Sequence, residues 1–129
     1  MSGGAGEVED GTLAGRRLLV CEDEFYVAVR LERALLDAGA NVTLFASLAP
    51  ALAHAEREDS PDAALLDINL RGELSFPLAD TLLARGVPVI FLSGYDTATI
   101  PPAYRDVARL QKPVTLAQLT GRLGELLRR

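Results

Sequence analysis

Two adjacent carboxylates, Glu22 and Asp23 in LLVCEDE, a third, Asp67 in AALLDINL, a hydroxyl, Ser93 in VPVIFLSGY, and a lysine, Lys112 in LQKP, have the types and spacing for chemistry. Each follows a short apolar, β-leaning run. Polar groups just after buried strands belong at the carboxyl ends of a parallel sheet, where open α/β folds build their sites. Three acids, a hydroxyl and a lysine gathered there can hold a divalent metal and a phosphoryl group. Taken singly, most have a plainer role. Glu22 to Glu24 could serve the dipole of the next helix, Ser93 a turn, and Lys112 the solvated surface. Asp67 is harder to dismiss, because a carboxylate behind Ala63, Ala64, Leu65 and Leu66 needs a partner.

The elements that must position these residues follow from periodicity. Leu18 to Cys21 is an apolar run. Glu24 to Ala38 then has helical spacing, with Ala28, Leu31, Leu35 and Ala38 on one face and Gly39 as a stop. Asn41 to Phe45 reads as a strand, and Ser47 can cap a helix running to about Glu58, with Leu48, Leu52 and Ala55 inward. Ala63 to Leu66 is a strand, Phe76 to Arg85 a helix closed by Gly86, and Val87 to Leu92 the most apolar strand. Gly94 to Tyr104 resists helix, and any helix there starts at Pro102. Arg109 to Gln111 is a weak strand. Thr115 to Leu127 is the clearest helix, with a stripe of Leu116, Leu119, Leu123, Leu126 and Leu127 and a capping box from Thr115 and Gln118. This fivefold βα alternation predicts a parallel sheet covered on both faces.

Composition bounds the rest. At 129 residues and 49% apolar the chain reads as one globular domain, residues 15–129, behind a Gly-rich acidic tail, 1–14. The net charge of −5 argues against non-specific nucleic-acid binding. No stretch approaches a membrane span or a signal peptide, and the lone Cys21, inside an apolar run, reads as a buried thiol suited to the cytoplasm. His54 reads as exposed and without function.

The acidic pair after the first strand, Asp67 after the third, Ser93 after the fourth and Lys112–Pro113 after the fifth resemble the receiver domain of bacterial response regulators. That resemblance covers about residues 16–128. It implies a flavodoxin-like doubly wound sheet, order 2-1-3-4-5, with five helices, the fourth short or disordered. It also implies that Asp67 is the phosphoacceptor and that Mg²⁺ is held by Asp23, Asp67 and the backbone carbonyl of Asn69, with Glu22 slightly further out on metal-bound water. Ser93, Gly94 and Lys112 would bind the phosphoryl group, and Pro113 is a candidate cis residue. The implied partners are a sensor histidine kinase or phosphotransfer protein and an unnamed downstream protein, with the chain a monomer or weak dimer.

Departures matter too. The family usually has Tyr or Phe three residues before the lysine, where this chain has Arg109. The segment Phe91 to Tyr95 is similar to a subgroup of single-domain regulators with a Phe-x-Thr/Ser-Gly-x-Tyr-like motif, which makes Tyr95 and the 94–104 segment candidates for the switch. The expected function is a stand-alone receiver, signalling by phosphorylation-dependent binding or acting as a phosphate sink, and an enzyme only towards its own Asp67. Alternatives are a degenerate receiver that binds protein unphosphorylated and a haloacid dehalogenase-type phosphatase. The order of the acids argues against the latter, since the acidic pair precedes Asp67.

Overall fold

The computed structural model describes residues 13–57, 59–94 and 100–128. Five parallel strands form the sheet: β1 (Arg17–Cys21), β2 (Asn41–Phe45), β3 (Ala63–Asp67), β6 (Val89–Ser93) and β7 (Ala108–Gln111), in spatial order β2-β1-β3-β6-β7. Helices α1 (Phe25–Asp37), α2 (Leu48–Arg57), α3 (Phe76–Ala84) and α4 (Leu116–Leu127) cross between or follow them. The sheet is the flavodoxin-like doubly wound one that the resemblance implied, but the described residues hold four α-helices rather than five. A 3₁₀ turn, Pro102–Tyr104, stands where a helix between β6 and β7 was in question.

Strand alternation divides the core into two layers. Leu18, Val20, Leu65, Ile90 and Leu92 face one side, where Leu31, Leu35, Leu119 and Leu123 of α1 and α4 cover them. Leu19, Cys21, Leu66, Val89 and Phe91 face the other, beneath Ala51, Ala55, Leu78 and Leu82 of α2 and α3. Every residue of the central strands β3 and β6 is buried, so their near-continuous apolar sequences suit a sheet covered on both faces. At α4 the Thr115–Gln118 capping box forms in both directions. Gly39, with φ +97°, ends α1 in the left-handed region that glycine tolerates.

Several expectations need correction. Leu13 is fully buried in the α1/α4 layer, and Gly15 N–H donates to the Gly39 carbonyl at 3.0 Å, so the fold begins before residue 15. His54 is half-buried, its ring 5.3 Å from that of Phe45. Leu116 does not join the α4 stripe and is 46% exposed. Asp67 and Ser93 are the last residues of their strands rather than the first after them. After Asp67 the chain also makes a small antiparallel hairpin, β4 (Asn69–Leu70) with β5 (Glu73–Leu74). Its two turn residues, Arg71 (φ +54°) and Gly72 (φ +87°), both take positive φ, the mirror-image turn that suits two-residue hairpins.

Candidate functional site

The carboxyl end of the sheet brings Glu22, Asp23, Asp67, Ser93 and Lys112 together. Each arrives there because an apolar strand stops and hands the chain to a loop. The strand order places β1 beside β3 and β3 beside β6, so the acids following β1 and ending β3 meet. Lys112 follows β7, and its backbone N–H donates to the Ser93 carbonyl at 2.7 Å. The Lys112–Pro113 peptide bond is cis.

The acids separate by depth. Glu22 is 1% exposed and Asp67 6%, while Asp23 is more open. Lys112 Nζ lies 3.0 Å from Glu22 Oε1 and 3.0 Å from Asp67 Oδ2, bridging the two buried carboxylates. Backbone amides hold the remaining oxygens. Glu24 N–H donates to Glu22 Oε2 at 3.0 Å, Asn69 N–H to Asp67 Oδ1 at 3.4 Å, and Arg71 N–H to Asp23 Oδ2 at 2.9 Å. The hairpin therefore clamps one acid from above. It is itself closed by Gly72 N–H donating to Asn69 Oδ1 at 2.7 Å. Capping of α1 falls to Glu24, which accepts from Val27 N–H, and Glu22 turns inward.

One oxygen from each of Glu22, Asp23 and Asp67 lies within 4.8 Å of the others. Hard oxygen donors so spaced suit a small divalent cation such as Mg²⁺. The electrostatics agree. Burial pushes the Glu22 carboxyl up to about 7, the charge of Asp67 adding to it and Glu24 N–H and Lys112 opposing it. Burial alone would lower the Lys112 ammonium, but its hydrogen bonds to Asp67 and Glu22 carry it above its ordinary value. Burial, with Asp67 nearby, pushes the Cys21 thiol up to about 12, so this cysteine is an inert core residue.

The hydroxyls are different. Ser93 Oγ and Ser75 Oγ are buried without a hydrogen-bond partner among the described residues. Ser75 precedes α3 and makes no side-chain cap. Sequence reasoning missed it, for a serine before a helix reads as an ordinary cap. Gly94 has ordinary φ, and a Cβ there would meet nothing within 4 Å. Arg109 is exposed and lies opposite Phe91 in the β6–β7 register. Tyr95 lies outside the described residues. An aromatic that sequence reasoning did not single out, Tyr104, stacks on Phe76 at 4.6 Å and donates to Asp80 Oδ1 at 2.7 Å. That hydrogen bond to Asp80, with burial and the Asp80 charge, raises the Tyr104 hydroxyl above its usual range.

Solved structures share this fold and, over nearly their whole length, this arrangement of elements. The chain is 37% identical to SdrG of Sphingomonas melonis, covering 90% of this chain and 98% of that one with a TM-score of 0.74. It is 25% identical to a response regulator receiver protein from Sinorhizobium medicae, covering 88% and 95% with a TM-score of 0.77. The receiver domain of a sensor histidine kinase from Pseudomonas aeruginosa, solved with a magnesium ion in its active-site cleft, is 28% identical, covering 90% and 100% with a TM-score of 0.73. No family model and no curated protein sequence matches the chain. With the fold, the chain belongs to the response regulator receiver-domain family. Among the described residues no helix is long and apolar enough to cross a membrane.

Proposed function

We propose that this receiver accepts a phosphoryl group on Asp67 from a phosphohistidine donor within a two-component phosphorelay. The observation that carries this reading is the Lys112 ammonium, 3.0 Å from both Asp67 and Glu22 at a three-acid cluster. Phosphoryl transfer asks a protein chiefly to position reactants and to neutralise charge, and this cluster is built for both. An Asp67 carboxylate oxygen attacks phosphorus. The new O–P bond forms as the donor P–N bond breaks, and the imidazole leaves with that electron pair. Asp23, Asp67 and the Asn69 carbonyl would hold Mg²⁺, with Glu22 acting through bound water. When bound, the metal neutralises charge on the phosphoryl oxygens. Lys112 supplies a fixed positive charge to the same oxygens, and the unpartnered Ser93 hydroxyl donates to the phosphoryl once it is in place.

The output is a phosphorylation-dependent change in protein binding, or removal of phosphate from a donor. The chain acts as a signalling module and not as an enzyme on other substrates. The apolar groove beside Lys112, between α1 and α4, is lined by Leu31, Pro113, Val114 and Leu116, and exposed Phe25 and Tyr26 stand on α1. It is the surface a phosphodonor protein would cover. The test is incubation with Mg²⁺ and acetyl phosphate followed by intact mass. A single phosphoryl adduct, lost without Mg²⁺ and in Asp67→Asn, is expected. An adduct that persists in Asp67→Asn would move the acceptor elsewhere.

A further inference from the structure

The three acids are held unequally. Glu22 and Asp67 each meet Lys112 as well as a backbone amide. Asp23 is more open, and among the described residues its carboxylate has one hydrogen-bond partner, the Arg71 N–H, 2.9 Å from Oδ2. That donor stands at the tip of the β4–β5 hairpin, 48 positions further along the chain. The hairpin is tied at every level. At its base Ser75 N–H donates to the Ile68 carbonyl at 2.9 Å. Above that Asn69 pairs with Leu74 and Leu70 with Glu73, and Gly72 N–H closes the tip on Asn69 Oδ1 at 2.7 Å. Leu70 is fully buried and anchors the whole to the α2/α3 layer. Arg71, at φ +54°, is the only residue other than glycine with positive φ among the described residues. A side chain crowds the backbone in that region, so the conformation persists only where its surroundings impose it, and such positions gather at ligand clamps.

We propose that Arg71 is a positioning residue for the divalent cation, acting through its backbone N–H. The closed hairpin ties the Asp23 carboxylate to the same rigid piece that carries Asn69. The inference rests on the cation lying among Glu22, Asp23 and Asp67, as the proposed function requires. A carboxylate offers about four lone-pair sites, so the Arg71 N–H can stay in place with a cation bound. Without the hairpin, Asp23 would be ordered only as the cation arrives, and that ordering weakens binding. Linkage gives the converse: if the closed hairpin tightens the cation, the cation closes the hairpin by the same factor. A turn that only supported the fold would change stability on mutation and leave cation affinity as it was.

The experiment is a calorimetric titration of the full chain with Mg²⁺, at a temperature where circular dichroism shows each variant folded. Arg71→Pro removes the N–H and forbids positive φ, and should bind Mg²⁺ on the order of tenfold more weakly. Gly72→Ala must hold φ +87°, although its new Cβ would meet nothing within 4 Å, and should weaken binding by less. Arg71→Gly keeps the N–H, relieves the backbone and removes a positive charge near the site, so it should bind at least as tightly as wild type. Unchanged affinity in folded Arg71→Pro overturns the proposal. So does an equal loss in Arg71→Gly, which would assign the effect to the guanidinium. Should Arg71→Pro fail to fold, amide exchange in wild-type protein decides. Saturating Mg²⁺ should slow exchange of the Arg71 and Gly72 N–H groups on the order of tenfold. Unchanged exchange while Mg²⁺ binds overturns the inference and leaves the acceptor reading standing. No Mg²⁺ binding to wild-type protein removes the cation site itself, and the proposal with it.

Discussion

The site has two halves that are built differently. In the charged half, Glu22, Asp23, Asp67 and Lys112 each have partners, and the amides of Glu24, Asn69 and Arg71 fix the carboxylates. In the hydroxyl half, the buried Ser93 Oγ has no hydrogen-bond partner among the described residues, and neither has Ser75 Oγ just before α3. A buried charge without a partner costs several kcal/mol, whereas an orphaned hydroxyl costs about 1–3 kcal/mol. The protein therefore holds its charges in place in advance, while the hydroxyls it leaves without partners among the described residues are the cheaper groups to strand.

The strongest way to break this comparison is to remove the proposed phosphoacceptor. Asp67→Asn should lose phosphorylation by acetyl phosphate completely while keeping its far-ultraviolet circular dichroism. Next is the shared cation. Lys112→Met leaves Glu22 and Asp67 facing each other, and should lose about 3 kcal/mol in urea unfolding. Because Mg²⁺ can replace the missing positive charge, adding it should raise the Tm of Lys112→Met more than that of wild type. Equal shifts would mean that lysine and metal do not answer the same charge.

The third prediction is pH dependence. Glu22 moves from an ordinary 4.5 to about 7 on folding, so between those values the folded protein holds a proton that the unfolded chain has released. The metal-free protein should accordingly lose stability as pH rises from about 4.5 to about 7. Glu22→Gln should flatten that slope in urea titrations run across the window. The smallest effect belongs to the second orphaned hydroxyl, Ser75. Ser75→Ala removes an orphaned polar atom and no cap, and should stabilise the fold by about 1 kcal/mol. A loss of stability there would show that Ser75 has a partner after all.

How far the sequence could be read depends on whether a signal was local. The five strands, the start of the turn at Pro102 and the Thr115–Gln118 box come from short-range periodicity and cap chemistry, and these are in the structure. The meeting of Glu22, Asp67 and Lys112 was legible because strand order alone determines which loops converge. The Asn69–Leu74 hairpin was not, since strands of two residues have no period to detect. Leu13 was hidden because a lone leucine in a Gly-rich stretch has no periodic neighbour, and its burial is decided by α1 and α4 far along the chain. Tyr104 looked like a loop residue because its contacts, Phe76, Asp80 and Phe91, are distant in sequence.

The lysine contact has a consequence for biosynthesis. Lys112 and Glu22 are separated by 90 positions, and Lys112 and Asp67 by 45. A growing polypeptide on the ribosome therefore has acids but no counter-charge until its last strand has emerged. Truncated or half-folded products lacking β7 would carry Asp67 and Glu22 without Lys112, so the bridged charge cluster forms only once the fifth parallel strand is in place.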